Sequence, residues 1–312
     1  MNVAAGLMVY SVAMVVLAPT LLKALTRGGS APRFGVAAWL TAIISVLTTW
    51  IVIPALIILD VVFHGGQRGS LLTACVRWLC DIAAGRAGIA AQATVVAVAV
   101  TLIVVVVGVG IKVLRTIRRL HAHAHGHAQA VRLVGRPTGQ RDVFIVDAAE
   151  RTAYCVAGQP PAIVVTSGAM AALNGDELQA VLAHERAHLD GHHPKIVTAL
   201  RGLAMVFPRV RLMTRGALDV ARLLEMCADD AAAHRYGQHT LLTGLMALAG
   251  ATPAQTLGAA DVALLNRAER LALPPAPWAR ISARAGLFGA MALIALAPIA
   301  TFTLGASGLL CR

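Results

Sequence analysis

A histidine-rich motif is the part of this chain whose residue types and spacing could do chemistry. His184, Glu185 and His188 form an H-E-x-x-H sequence within residues 175–193. Residues four apart on a helix share one face, so both imidazoles can bind the same metal ion. Glu185 projects beside them, where it can take a proton from a water molecule. Because the chain has only five glutamates, the motif is a specific indication of a metal-dependent hydrolase site.

The surrounding sequence predicts the helix that this motif needs. Asn174 and Asp176 can cap its start, and Pro194 is expected to end it. Apolar residues recur on one side of the segment: Leu178, Val181, Leu182 and Leu189. We therefore expect one helix that turns an apolar face to a core and its histidines to the metal.

A zinc peptidase site needs a third protein ligand, and Glu225 is the best candidate. It lies in a second predicted helix, residues 218–236, with Asp229 one turn later on the same face. At that position Asp229 can accept the outer N–H of a ligating histidine and fix its tautomer. The alternative is that Glu225 and Asp229 are solvated helix charges. We expect one zinc ion per chain, bound by His184, His188 and Glu225.

The composition is that of an integral membrane protein. Hydrophobic residues make up 58% of the chain, its mean hydropathy is +0.73, and only 13% of its residues are charged. The formal net charge of +12 is not accompanied by the aromatic and basic pattern of a nucleic-acid-binding surface. We therefore expect no direct nucleic-acid partner and interpret the charge as basic loops beside an anionic leaflet of the bilayer.

The order of apolar segments predicts a mainly α membrane protein with an α+β domain between its third and fourth spans. The predicted organisation is three transmembrane helices within residues 1–111 (about 4–22, 35–59 and 90–111), a loop at 60–88, a peptidase domain at 112–284, and a fourth span with a short tail at 285–312. Pro54 lies inside the second span, where a kink is tolerated.

Lysine and arginine residues predict the orientation of these spans. They are dense in the first loop and on both flanks of the 112–284 segment, and sparse in the 60–88 loop. We expect the amino and carboxyl termini outside and the peptidase domain in the cytoplasm. Three cysteines then fall on the oxidising side, and any pairing among them stays open: Cys75, Cys80 and Cys311.

Within the 112–284 segment, three short strands precede the motif helix. They are expected at residues 142–147, 152–157 and 162–166, followed by a short helix at 169–173. A sheet edge beside a metal-binding helix could hold an extended peptide by strand addition, although the sequence does not identify the edge strand.

Three other segments of this domain have less specific signals. Alternating histidines from His121 to His127 could bind metal weakly, but we interpret them as a solvated, flexible linker. Residues 195–207 are apolar but too short to span, so they form either a core helix or a helix at the membrane interface. Residues 251–277 predict a looser tail with a helical piece at 261–271.

Together these residues resemble the BlaR/MecR-type membrane zinc peptidases, which are gluzincin-like proteases. The resemblance covers the order of spans, the stretch Ile163–Gly168, the Leu182–His188 helix, and the run from Phe207-Pro208 to Glu225–Asp230. It implies zinc on His184, His188 and Glu225, with Glu185 as base and Asp229 supporting a ligand. It also implies a bacterial cytoplasmic membrane and signalling by cleavage of a protein, such as a winged-helix repressor.

Two features depart from that family. Ala228 separates Cys227 from Asp229, whereas the family places its cysteine directly before the aspartate. The sequence also has no extracellular penicillin-binding sensor after its last span, so we expect a signal other than a β-lactam.

The transition-state partner and the biological role have several candidates. His234, Tyr236 and Arg270 are the residues that could stabilise a transition-state oxyanion. An HtpX-like protease of membrane-protein quality control is the first alternative function. A zinc transporter or sensor and a catalytically silent adaptor are the others, although the spans lack the mid-membrane charges of ion transporters. Pairing with a second copy of the chain is left open.

Overall fold

The structure is a computed structural model that describes residues 3–63, 89–140, 142–250 and 259–306. Its helices are α1 (Val3–Thr26), α2 (Pro32–Phe63), α3 (Ile89–Val134), α4 (Ser167–Ala172), α5 (Gly175–Asp190), α6 (His193–Val206), α7 (Arg211–Tyr236), α8 (Gln238–Leu248), α9 (Ala259–Ala272) and α10 (Pro277–Ala306). Its strands are β1 (Arg136–Pro137), β2 (Val143–Val146), β3 (Ala153–Val156) and β4 (Ala162–Thr166).

In the described ranges, three helices are long and apolar enough to cross a membrane. They correspond to the predicted first, second and fourth spans and cover Gly6–Thr26, Pro32–Leu56 and Pro277–Thr303. These helices pack together and share polar contacts: the Tyr10 hydroxyl donates to the Ile294 carbonyl at 2.8 Å, and Trp50 Nε1 donates to Ser11 Oγ at 2.7 Å. The result is a three-helix bundle whose helices are joined by partly buried hydrogen bonds.

The predicted third span, residues 90–111, lies within α3. The side chains of residues 89–100 lie outside the description, so the total of four spans stays a prediction. The predicted loop beyond Phe63 lies outside the described residues, as do Cys75, Cys80 and Cys311. The two described cysteines, Cys155 and Cys227, are free.

The histidine run belongs to α3, so the prediction of a flexible linker is wrong. At 46 residues, α3 is about 69 Å long and continues past the predicted span into the peptidase domain. The ring of His127 stacks on Tyr154 with centroids 5.8 Å apart, and His125 Nδ1 accepts a hydrogen bond from the Gln159 amide at 3.3 Å. Alanines between the histidines favour a helix, and contacts with the sheet hold it in place.

A four-stranded sheet lies between α3 and α5. Its order is β1-β2-β4-β3, with β4 parallel to β2 and antiparallel to β3. Thus β2 and β3, although consecutive in the chain, do not pair with each other. Side chains of one face, including Cys155, pack towards α5, and those of the other, including Tyr154, pack towards Ala128 and Val131 of α3. Strand β3 is the edge strand on the side of the motif helix, a point that the sequence left open.

Helix α5 begins as predicted and ends earlier. Asn174 forms a capping box with Glu177, each side chain bonding the other residue's backbone N–H. The helix ends at Asp190, and His192 adopts a left-handed conformation with φ of 54°. Pro194 was expected to end this helix, but it lies in the first turn of α6. A proline is tolerated there because the first amide groups of a helix have no internal acceptor.

Helix α7 runs antiparallel along α2 and shares a hydrophobic core with the spans. A side chain on Gly35 would meet Leu223, and one on Gly216 would meet Ile43 and Trp39. Farther along, the rings of Phe207 and Trp50 meet edge to face with centroids 5.5 Å apart. The helix begins at Arg211, earlier than the predicted residue 218, because its first turns are buried against α2.

Helix α6 packs on the hydrophobic core, as one of the two alternatives for residues 195–207 predicts, and its position at the membrane interface stays a prediction. Its apolar residues Ile196, Leu200 and Leu203 join the same core as the spans and α7. Helix α7, which carries Glu225, packs directly on α2, the second membrane helix.

Candidate metal centre

Three side chains from two helices converge on a position that could hold a metal ion. His184 and His188 of α5 and Glu225 of α7 each offer a ligand atom, all within 4.8 Å of one another. The two Nε2 atoms are 3.1 Å apart, and each lies 3.5 Å from a different oxygen of Glu225. The predicted ligand set thus occupies one place in the fold, because α5 and α7 pack side by side.

The cluster is buried on the protein side and open beside Glu225. His184 is 3% exposed, whereas the Glu225 side chain is 41% exposed. Partial burial disfavours the ionised form of the Glu225 carboxyl group. Hydrogen bonds with His184 and His188 and the positive charge of Arg267 outweigh that effect. The pKa of Glu225 is therefore well below its usual range, and the group is a carboxylate available to a cation.

Asp229 lies behind His184 and is the most buried acidic group of the site, at 1% exposure. Its Oδ1 atom is 3.1 Å from His184 Nδ1, although the angle is not that of an aligned hydrogen bond. Burial opposes the ionisation of Asp229, but His184 and Arg267 outweigh it and lower its pKa. Asp229 thus lies beside Nδ1 of His184, with Nε2 of that ring towards the ligand position; its role in directing the ring stays a prediction.

Arg267 of α9 is part of this cluster and was missed at the sequence level. Its guanidinium donates two hydrogen bonds to Asp229, at 2.7 and 2.8 Å, and its Nη1 is 3.1 Å from Glu225 Oε2. A planar guanidinium suits this forked contact, which a lysine could not reproduce. Arg267 therefore holds the aspartate and the glutamate in fixed positions.

His193 is a second supporting residue without a signal in the motif. Its Nδ1 is 2.9 Å from Nδ1 of His188, which leaves the Nε2 of His188 free for the ligand position. Burial and the neighbouring His188 lower the pKa of His193 to about 4, so it is neutral near pH 7. A side chain on Gly191 would collide with the ring of His193, so this close packing needs glycine.

Glu185 is buried beside the ligands, at 9% exposure. Burial raises its pKa, partly offset by the nearby imidazoles of His184 and His188. Cys155 on β3 lies close to Glu185, and burial together with this carboxyl group raises the pKa of Cys155 to about 12. Glu185 thus faces the edge strand β3.

The three predicted transition-state residues have other contacts. Arg270 donates to the Gly29 carbonyl at 3.0 Å and to Asp230 at 2.9 Å. His234 lines a separate cavity with Arg270, and Tyr236 packs in a hydrophobic cluster with Ala180 and Leu241. None of these contacts connects them with the ligand cluster, so their predicted role has no support in the geometry. On α9, the arginine that contacts the ligand cluster is Arg267, one turn before Arg270.

The donor set fits a zinc ion. Two imidazole nitrogens and one carboxylate leave a fourth tetrahedral position for water or substrate, as in a catalytic zinc site. His193 contacts Nδ1 of His188, and Asp229 Oδ1 lies 3.1 Å from Nδ1 of His184, so the Nε2 atoms of both rings face the common position. Among the residues that the structure describes, His184, His188 and Glu225 are the one group of histidine, cysteine and acidic side chains whose geometry could hold a metal ion.

We predict that Arg267→Gln lowers zinc affinity by about 10- to 100-fold, because it releases Asp229 and Glu225. Arg267→Lys should recover only part of the loss, since it keeps the charge and loses the fork. Competition with a chromogenic chelator would measure the affinity. Arg270→Gln, one turn later on α9, is the matched control. An equal loss in that variant would show that charge alone, and not the contact with Asp229, is responsible.

Comparison with known proteins identifies a family for the segment that contains this site. The family model for Peptidase family M48 matches residues 115–276, which is half of the chain. No curated protein and no solved structure shows significant similarity to the chain. The matched segment begins within α3 and ends just before α10, so it includes every residue of the metal cluster and Arg267.

Proposed function

The chain belongs to peptidase family M48, a metallopeptidase family, and from this premise we propose that it is an integral-membrane zinc metalloendopeptidase. The observation that carries the proposal is the convergence of His184, His188 and Glu225, with Glu185 beside them. Apolar helices with the length of membrane spans make it a membrane metallopeptidase.

Each residue has a separate task in the proposed reaction. His184, His188 and Glu225 would hold one zinc ion, which when bound supplies a Lewis acid for the scissile carbonyl group and the attacking water. Glu185 takes a proton from that water as it attacks, and then gives the proton to the nitrogen of the leaving amine. Its buried position and raised pKa suit a group that must accept and return a proton. Asp229, Arg267 and His193 keep the ligands in place.

The substrate is proposed to bind as an extended peptide along β3. This strand is an edge of the sheet, it packs beside α5, and its Cys155 lies next to Glu185. An added strand would have its backbone hydrogen-bonded to β3 and a peptide bond close to the catalytic carboxylate. Because backbone groups supply the binding, the site would accept peptides of many sequences. Which proteins are cleaved would then depend on whether an extended segment can reach β3.

We place the peptidase domain in the cytoplasm and both termini outside, in accordance with the distribution of basic residues. The loop between α1 and α2 lies on the same side as the metal cluster, because Arg270 contacts Gly29 and because Arg33 shares a cavity with Ala187 and His193. In this proposed orientation, the site would face the membrane surface on the cytoplasmic side.

Two biological roles agree with this placement. The first is regulated cleavage of a cytoplasmic protein, such as a winged-helix repressor, as the BlaR/MecR-type resemblance implies. The second is HtpX-like quality control of membrane proteins. It is favoured by the direct packing of α7 on α2, which brings the site next to segments leaving the bilayer.

Quantitative proteomics of strains with the wild-type enzyme and with Glu185→Gln would separate these roles. Accumulation of one soluble regulator in the variant would support signalling, and accumulation of many membrane proteins would support quality control. Zinc content must be equal in the two purified proteins. Unchanged protein levels at equal zinc content would contradict both roles and favour a non-catalytic adaptor.

A further inference from the structure

A second cavity, separate from the metal ligands, lies at the end of the membrane helices that we place on the cytoplasmic side. It has a volume of about 860 Å³. Its walls come from the first residues of α2, the carboxyl end of α7, α9, and the first turns of α10. The volume is in the range of sites for small molecules.

The cavity has a strong positive charge. Arg33, Arg270, Arg280 and Arg284 line it, against a single acidic residue, Asp230. Arg270 and Asp230 form an ion pair at 2.8 Å and so neutralise each other. Across the described ranges of the chain, the other three arginines have no acidic side chain within ion-pair distance. Three guanidinium groups without an acidic partner around one cavity can bind an anion.

The cavity lies at the level expected for lipid headgroups. Arg33 is in the first turn of one candidate span, and Arg280 and Arg284 are in the first turns of another. Arg280 and Arg284 are four residues apart and share one face of α10. Trp278, at 74% exposure, starts the same helix, as is typical of aromatic residues at the membrane–water interface. An anion bound here would be at the boundary between water and hydrocarbon.

We propose that this arginine cavity binds the phosphate of an anionic phospholipid from the cytoplasmic leaflet. Arg280 and Arg284 hold the phosphate from α10, and Arg33 holds it from α2. A basic cavity between membrane helices on the cytoplasmic side suits an anionic headgroup, because its positive charge attracts the phosphate and because it lies at the depth of the headgroups. The acyl chains would follow the largely exposed surface of α10 into the bilayer.

Binding of the lipid would connect elements that are far apart in the sequence. It would join the start of α2 to the start of α10, and Arg270 connects the same cavity to the Gly29 carbonyl. The expected consequence is that anionic lipid raises the thermal unfolding midpoint of the full-length protein more than zwitterionic lipid does. This inference does not depend on peptidase activity.

Native mass spectrometry of the full-length protein in detergent, titrated with phosphatidylglycerol, would test the proposal. At roughly fivefold per arginine, Arg280→Gln/Arg284→Gln should bind this lipid about 25-fold more weakly than the wild type. Arg33→Gln, on a different helix, should bind phosphatidylglycerol about fivefold more weakly than the wild type. This variant is the test if the double variant does not fold. Arg118→Gln/Arg119→Gln on α3 removes the same charge from an exposed site outside the cavity.

Three results would overturn the proposal. The first is equal binding of phosphatidylglycerol by the wild type and the cavity variants, and the second is an equal loss in the Arg118→Gln/Arg119→Gln control. The third is competition by inorganic phosphate at the same concentration as the lipid, which would assign the cavity to a soluble anion. Retention of phosphatidylglycerol over phosphatidylcholine by the wild type and the control alone would support it.

Discussion

Replacing Glu185 with glutamine is expected to reduce peptide cleavage by about 10³-fold while the zinc content stays unchanged. The amide has nearly the shape of the carboxyl group, so the packing beside His184, His188 and Cys155 should persist. It cannot accept a proton from the attacking water. The loss should appear in kcat, with a smaller change in KM, because proton transfer belongs to the chemical step.

Cleavage of a fluorogenic peptide library by the purified full-length protein would measure this effect, with zinc measured by mass spectrometry on the same samples. Glu269→Gln is the matched control, since it makes the same chemical change at an exposed position of α9. That variant should cleave at the wild-type rate. Retained activity in Glu185→Gln at equal zinc content would contradict the proposed role of Glu185 as base.

Removing one imidazole is expected to have the second large effect. His188→Ala should lower zinc affinity by more than about 100-fold, since structural zinc sites with four ligands are worth about 10–16 kcal/mol in total. The alanine would also leave Nδ1 of His193 without its partner at 2.9 Å. Activity should fall with zinc occupancy and return in part at high zinc concentration.

Zinc titration of the metal-free protein, followed by activity and by thermal unfolding, would check this prediction. In the wild type, zinc should raise the unfolding midpoint, because an ion that binds only the folded state stabilises it. In His188→Ala the same zinc concentration should produce a much smaller rise. His239→Ala, an exposed histidine outside the cluster, should behave like the wild type. If His188→Ala bound zinc as the wild type does, the ligand assignment would be wrong.

Much of the site could be predicted because its spacing is local. His184 and His188 are one helical turn apart, and so are Glu225 and Asp229, and helix geometry alone places each pair on one face. The capping box at Asn174 and Glu177 is equally local, and so are the three strands that alternate with turns. Apolar length likewise indicates membrane helices without any knowledge of their packing.

The remaining features depend on contacts between residues far apart in the chain. Arg267 reaches Asp229 from another helix, and its position in the sequence differs little from that of Arg270, which pairs with Asp230 instead. Which of the two arginines enters the metal cluster is decided by how α9 is rotated against α7. A periodic pattern shows that a helix has faces, but it does not show which neighbour each face will meet.

The same distinction explains the errors in the fold. A proline near a helix boundary is compatible with the end of one helix and with the first turn of the next, so Pro194 predicts the end of α5 although it lies in the first turn of α6. Strand order is not local either, and β4 therefore lies between β2 and β3. The packing of α7 along α2 joins the metal ligand Glu225 to the membrane core. Local chemistry was thus readable from residue types and spacing, whereas the support of the site and its place beside the membrane arise only when distant apolar surfaces are buried against each other.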